Sequence, residues 1–290
     1  MLFRSLDARC SWKELDLSRY ESPFQRPLPP AVIPLFGTSS DRDLSPEERQ
    51  SLGKQFIKLN AEALILLEQA LLLAMRSFRK RCLDTNEEKG ACKLAQEEYY
   101  HTRAFRSFLR REEDLEWREN SLFLFRNRRC RKWLAWIAKT VPLSLCLPGA
   151  KIEAFSLSYS QFIREAFGGW EANSWAKIQH LHVLDEAQHV PVQFAFYRKA
   201  FPRGLKGLLV VAGTLCFIGI LQVLLLTGNW RMVRNAMPKR SRLARLRWTL
   251  RTARWCVRDF PPYATALPRI RRYLQEDGMP YGKFFSFMTW

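Results

Sequence analysis

The chain has 290 residues, of which 47% are hydrophobic and 26% charged, an ordinary composition for a globular protein. Its length suits one large helical domain, or a domain of about 200 residues with an appendage, and does not require a second catalytic domain. Lys and Arg outnumber Asp and Glu by 47 to 28, and the net charge of +19 favours contact with an anionic membrane surface, nucleic acid or an acidic partner, unless it only keeps the protein soluble.

The seven cysteines stand singly, without a CxxC pair or zinc-ribbon spacing, which predicts reduced thiols in the cytoplasm. The segment MLFRSLDARCSWKELD contains acids and no sustained apolar run, so no secretory signal is visible. Residues 1–45 carry many prolines and no helical period, and we expect them to form an extended arm packed on the domain that follows.

The first predicted helix begins at Pro46, because Ser45 suits the N-cap and two acids follow at the positive end of the helix dipole. It continues to about Lys80 and is apolar almost all round in its second half, where Glu68 lies inside LILLEQALLL. A buried, unpaired carboxylate costs several kcal/mol. We therefore expect Glu68 to meet a cation, a metal or a proton, unless the helix turns it towards solvent.

The second predicted helix follows the polar turn LDTNEEKG and carries Glu98 and His101 at i and i+3, on one helix face. In two antiparallel helices, residues equidistant from the turn lie level with one another. Glu68 and Glu98 are equidistant from the turn, so we expect them to lie level with one another. Glu62 is less nearly level with Glu98 and is the alternative to Glu68. Glu97 is the alternative to Glu98.

The third predicted helix runs from about Lys151 to the Gly-Gly pair at 168–169, where glycine can adopt a left-handed cap conformation. Glu153 and Glu186 of the next helix are equidistant from this Gly-Gly turn, so they too should lie level with one another. We call this comparison of distances from a turn the mirror argument. Glu165 would need a turn further along the chain, so Glu153 is preferred.

The fourth predicted helix begins around Ser174, which looks like its N-cap, and contains IQHLHVLDEAQHV. His182, Glu186 and His189 stand there at i, i+4 and i+7, so one helix face offers two imidazoles and a carboxylate. Pro191 lacks a backbone donor, and a kink or bulge is expected just after His189.

Gly207 to Gly228 is an apolar run without a charged residue, long enough to span a bilayer. A helix that is buried on the bundle or dips into the membrane is the alternative, and basic residues at both ends leave the orientation open. Beyond it, the recurrent arginines from Arg242 to Arg258 predict a basic amphipathic helix. Such a helix binds anionic lipid or an acidic protein face, or docks on its own domain, and no recognition motif supports nucleic acid.

Two ExxH pairs on separate helices, each joined by a glutamate from a further helix, are typical of a two-metal centre inside a four-helix bundle. The expected fold is therefore all-α: an N-terminal arm (1–45), a ferritin-like four-helix bundle (46–200) with a long crossover at 112–150, and extra C-terminal helices (201–290). The mixed carboxylate and imidazole set suits iron or manganese better than structural zinc.

The segments HVLDEAQH and EEYYH, with the arm SPFQRPLPPAVIPLFGTSSDRDLSPEER ahead of the first helix, resemble the di-iron arylamine N-oxygenases typified by para-aminobenzoate N-oxygenase. The resemblance covers roughly residues 25–200, and the histidine four positions before the second ExxH is its most specific point. It implies a ferritin-like fold, two iron ions, dioxygen and an external reductant as co-substrates, and often a homodimer. It supports seven residues as metal ligands: Glu68, Glu98, His101, Glu153, His182, Glu186 and His189.

The resemblance implies oxidation of a small organic substrate, with N-oxygenation of an amine as the specific expectation and an electron donor as a partner. A related group of predicted metal-dependent hydrolases has a similar HxxxExxH element, so hydrolysis by metal-activated water is one alternative. A membrane-associated helical adaptor without enzymatic activity is the other. The apolar run at 207–228 and the basic tail lie outside the resemblance.

Overall fold

The computed structural model describes residues 12, 14–79, 85–112, 132, 135–137, 139–276 and 278–287. Within these residues the protein contains eight α-helices and no strand, which confirms the all-α class. The helices are α1 (Pro46–Arg79), α2 (Thr85–Arg111), α3 (Cys146–Phe167), α4 (Ser174–Ala200), α5 (Leu205–Ala236), α6 (Arg242–Arg258), α7 (Pro261–Gln275) and α8 (Gly282–Phe287).

Helices α1 to α4 form a bundle from two helix pairs. Helix α1 packs along α2, and α3 packs along α4; α2 also contacts α4, and α1 contacts α3. Each of the four helices turns polar residues as well as apolar ones into the interior. The predicted crossover at 112–150 lies largely outside the described residues.

Two helix starts agree with the sequence prediction. Helix α1 begins at Pro46, and Ser45 and Glu48 cap it reciprocally: the backbone N–H of Glu48 donates to Ser45 Oγ at 3.2 Å, and the backbone N–H of Ser45 donates to Glu48 Oε2 at 3.1 Å. Helix α4 begins at Ser174. Its N-cap, however, is Asn173, whose side chain accepts from the backbone N–H of Ala176, so the prediction of Ser174 as the cap is wrong.

Two other helices begin earlier in the chain than the sequence predicts. Helix α2 begins at Thr85, inside the predicted turn, because two acidic residues of that turn are well suited to the first turn of a helix. Helix α3 begins at Cys146 rather than near Lys151. It continues directly from a short 3₁₀ helix, and Pro148 lies in its first turn, where the missing backbone donor removes no hydrogen bond.

Helix α3 ends as predicted, with Gly168 in the left-handed region at φ 78°. Helix α4 continues through Pro191 to Ala200, so any bend at the proline leaves the helix unbroken.

The described part of the arm contains three short 3₁₀ helices, and most of its apolar side chains are buried as expected. Leu28 Cδ1 packs so closely on Gly53 of α1 that a Cβ there would lie 2.8 Å away. The backbone N–H of Ser174 donates to the carbonyl of Glu21 at 2.9 Å. The arm thus runs from the start of α1 to the start of α4.

The C-terminal helices cover the outside of the bundle. Helix α7 packs on α3, and α5 packs on α1 and contacts α6. Phe260, between α6 and α7, lies in an aromatic cluster with Phe56 of α1, Phe162 of α3 and Trp255 of α6, at centroid distances of 4.8 to 5.4 Å. The inner face of the basic tail is therefore docked on its own domain.

Candidate metal centre

All seven predicted ligand residues meet in the interior of the bundle. They form two adjacent groups, in each of which one potential ligand atom per residue lies within 4.8 Å of every other. The first group is Glu68, His101, His182 and Glu186, and the second is Glu98, Glu153 and His189. Every one of these residues is at least 97% buried.

Glu98 and Glu186 lie between the two groups. One oxygen of Glu186 lies 2.8 Å from His182 Nε2, and its other oxygen lies 3.4 Å from His189 Nδ1. Likewise, one oxygen of Glu98 lies 3.6 Å from His101 Nδ1 and the other 3.4 Å from His189 Nδ1. Each carboxylate therefore faces both groups, as a bridging ligand would.

Glu68 belongs to the first group and Glu153 to the second. Glu68 Oε1 is 3.1 Å from His182 Nε2, while Glu153 Oε1 is 3.8 Å from His189 Nδ1. These two residues, which the mirror argument selected from α1 and α3, would bind terminally.

Each histidine has one ring nitrogen among these carboxylates and the other bonded to a residue outside the set. His101 turns Nδ1 inward, and its Nε2 lies 3.1 Å from Asp185 Oδ2. Trp12 Nε1 donates to the same Asp185 oxygen at 2.7 Å. Since an ionised carboxylate only accepts, Asp185 selects the Nε2–H tautomer of a neutral His101, which leaves the Nδ1 lone pair facing inward.

The other two histidines follow the same arrangement. His182 turns Nε2 inward, and its Nδ1 lies 2.9 Å from Ser156 Oγ. His189 turns Nδ1 inward, and its Nε2 lies 3.1 Å from Glu97 Oε2. Outer partners of this kind fix ring orientation and basicity in metal sites.

Eight buried side-chain atoms of this cluster form no hydrogen bond of acceptable geometry with the described residues, although imidazole nitrogens and carboxylate oxygens lie 2.8 to 3.8 Å apart. They are Glu68 Oε2, both oxygens of Glu98, His101 Nδ1, Glu153 Oε2, both oxygens of Glu186 and His189 Nδ1. A buried unpaired polar atom is costly, and folded proteins contain few of them. Eight such atoms converging on one place fit a cation binding site.

The protonation equilibria agree with this interpretation. Burial would raise the pKa of Glu186, but the charges of His182 and His189 hold that pKa well below its usual range. Burial and then the charge of Glu186 raise the pKa of Glu153 well above its usual range. Burial would lower the pKa of His101, but carboxylates, Glu68 first, raise it well above its usual range. The raised pKa values of Glu153 and His101 favour protons that offset the carboxylate charge, which is the role that a metal cation bound at the same atoms would take.

The alternatives from the sequence do not enter either group. Glu62 is buried on α1 but belongs to neither group, and Glu165 is exposed and accepts from Gln161 at 2.8 Å. Glu97 contacts the outer nitrogen of His189, Nε2, and belongs to neither group. His180 stacks on Trp170 outside the cluster, at a centroid distance of 4.8 Å.

Sequence reasoning missed four residues around the cluster: Trp12, Ser156, Asp185 and Gln193, which donates to Glu153. Asp185 had a usable signal, because it lies three residues after His182 and four before His189, near the ligand face of α4. Trp12 had none, since 173 residues separate it from Asp185.

Comparison of the chain with family models, curated proteins and solved structures finds no match.

Proposed function

We propose that this protein is a ferritin-like, non-haem di-iron oxygenase that oxidises a small organic substrate. The observation that carries the proposal is the convergence of eight buried atoms without a hydrogen bond among the described residues. They come from the four glutamates and two of the three histidines of the cluster and meet between α1, α2, α3 and α4. An amine as the substrate, and N-oxygenation as the reaction, follow from the family resemblance.

The donor set suits iron, with manganese as the alternative. It contains four carboxylates and three imidazoles, whereas structural zinc favours thiolates in a closed tetrahedron. Burial and the nearby Glu153 raise the pKa of Cys146, so this thiol stays protonated. Glu68, His101 and His182 would hold one ion, Glu153 and His189 the other, and Glu98 and Glu186 would bridge them. Iron held there in its reduced state would supply electrons to dioxygen, with the external reductant restoring that state.

The protein residues around the cluster orient the ligands and exclude water. Asp185, Ser156 and Glu97 each hold the outer nitrogen of one histidine, so the rings need little reorganisation to bind a cation. Trp12 and Phe105 cover His101 and His182, each at a ring-centroid distance of 5.1 Å. This apolar cover keeps bulk water away from an oxidising centre.

Metal analysis of the purified protein, followed by optical spectra of the reduced form before and after oxygen is admitted, tests the proposal. We expect about two irons per chain, as in di-iron carboxylate bundles, and a transient visible band when oxygen enters. One tightly held zinc that does not respond to oxygen would instead favour the metal-dependent hydrolase. Purified protein that neither contains nor takes up metal would overturn both enzymatic functions and leave the helical adaptor.

A further inference from the structure

Helix α5 exposes an apolar stripe along one side. Seven of its exposed positions recur every three or four residues, the spacing of one helix face. We call these residues the α5 stripe: Leu205, Leu208, Ala212, Cys216, Gly219, Val223 and Leu226. The stripe is roughly 30 Å long at 1.5 Å per residue. Only 18% of the most apolar window of α5 is buried, so α5 is not an ordinary core helix.

Helix α5 is fixed to the bundle at both ends. Val210 and Phe217 are buried in its first half, where Thr214 Oγ1 lies 3.2 Å from the carbonyl of Ser144. Met232 and Val233 are fully buried in its last turns. Because both ends rest on the protein, α5 cannot cross a bilayer unless the bundle enters with it. A side-on position exposes the stripe without moving the bundle.

Helix α6, which contacts α5, has an apolar ridge on its outer side. Leu243, Leu246, Leu250 and Val257 are 39% to 59% exposed and stand at i, i+3, i+7 and i+14. We call these four residues the α6 ridge. The opposite face, with Trp248 and Trp255, is buried on the domain. Helix α6 is therefore apolar on two sides, only one of which the protein covers.

Basic residues border both apolar surfaces. Arg247, Arg254 and Arg258 are exposed beside the α6 ridge. At the start of α5, a cavity of about 580 Å³ is lined partly by the basic residues Arg198, Lys199 and Arg203. Apolar side chains next to arginines match the boundary between acyl chains and anionic headgroups in a bilayer.

We propose that the α5 stripe and the α6 ridge bind side-on to the surface of an anionic phospholipid membrane. The leucines enter the acyl region, and the neighbouring arginines bind lipid phosphates. The +19 net charge attracts the protein to such a surface. This inference is independent of the metal centre, because none of its residues belongs to the ligand cluster.

Vesicle flotation of the full-length protein tests the proposal. Vesicles contain phosphatidylcholine alone, or phosphatidylcholine with phosphatidylglycerol, and we expect binding to the second type that weakens with salt. Leu246→Glu should reduce the partition coefficient about tenfold, the effect of withdrawing one leucine from the acyl region. The matched control is Leu184→Glu on α4, because Leu184 and Leu246 are 46% and 47% exposed. Equal partition coefficients for the two variants would overturn the docking surface.

The arginines and the orientation are tested separately. Replacing Arg247, Arg254 and Arg258 by glutamine should abolish the preference for phosphatidylglycerol, and retention of the preference would overturn their role. For orientation, Arg203→Cys and Asn235→Cys place a thiol at each end of α5, and both should react with a membrane-impermeant maleimide on bound vesicles, above the labelling of the parent protein. Protection of one end until detergent is added would show a spanning helix instead.

Self-association is the remaining outcome. If the protein forms dimers without lipid, and Leu246→Glu abolishes them while vesicles do not bind, the surface is an interface between two copies and the lipid proposal fails. Metal content, measured on the same samples, should equal that of the parent in every variant. Failure of vesicle binding with normal metal content thus leaves the proposed function intact.

Discussion

The interior of the α1–α4 bundle and the outer surface of α5 and α6 mix charged and apolar residues in opposite arrangements. In the bundle, the seven candidate ligand residues are at most 3% exposed. On the outer surface, leucines and valines of α5 and α6 are 39% to 74% exposed, with arginines beside them. Both arrangements cost stability in water: buried charges lose hydration, and exposed apolar groups order solvent. Each therefore points to a ligand that completes it, a cation inside and a lipid surface outside.

The largest effect is expected from a ligand histidine. His189→Ala should lose most bound metal, because His189 faces Glu98, Glu153 and Glu186. Metal content is measured by elemental analysis, and the helical circular-dichroism signal should be retained. The matched control is His180→Ala, which removes a histidine of the same helix outside the cluster and should leave metal content unchanged. Full metal retention in His189→Ala, or equal loss in both variants, would show that the ligand face of α4 is wrongly assigned.

The second expected effect is on the pH dependence of metal affinity. Burial would lower the pKa of His101 and His189, but carboxylates raise it well above the usual range, which favours protons on these imidazoles in the metal-free protein. Metal must displace them, and affinity should fall as pH falls, about tenfold per pH unit for each displaced proton. A metal titration repeated at several pH values, with the released protons counted, measures this. Affinity that does not change with pH would place the metal away from these imidazoles.

The third effect concerns a residue that orients a ligand. Asp185→Asn should weaken metal affinity by about 10- to 100-fold, since the amide can donate to His101 Nε2 and favour the wrong tautomer. Asp259→Asn, an exposed change of the same type, is the control. The two variants are compared by competition with a metal chelator. If both match the parent protein, the Trp12–Asp185–His101 contacts have no part in metal binding.

The candidate ligands were predictable because each carries a local signal. Helical spacing selected His182, Glu186 and His189, and the mirror argument chose Glu68 and Glu153 over nearby glutamates. The mirror argument held although α2 and α3 start earlier than predicted, since distance from a turn depends on where the chain reverses and not on where each helix is nucleated. The structure places the seven candidate ligands together in the bundle interior, as predicted, while the identity of the metal stays a prediction.

The outer partners were mostly not predictable, because their roles depend on contacts between distant segments. Trp12 reaches Asp185 from the arm, and Ser156 reaches His182 across two helices. A single serine or tryptophan in a helical pattern carries no sign of its partner. The exposed side of α5 was likewise undecided by sequence, since a buried helix and a membrane helix share the same apolar run.

The smallest effect distinguishes the two apolar sides of α6. Leu246→Ser should change the free energy of unfolding by less than about 0.5 kcal/mol, because an exposed leucine has few contacts to lose. Trp255→Ala, on the inner side, should cost about 3 to 5 kcal/mol, because it opens a cavity beside Phe260. Urea denaturation of both variants without lipid measures the difference. A cost for Leu246→Ser close to that of Trp255→Ala would mean that protein already covers the α6 ridge, either in this chain or in a second copy. The ridge would then be part of a core, and its leucines would need no lipid to explain them.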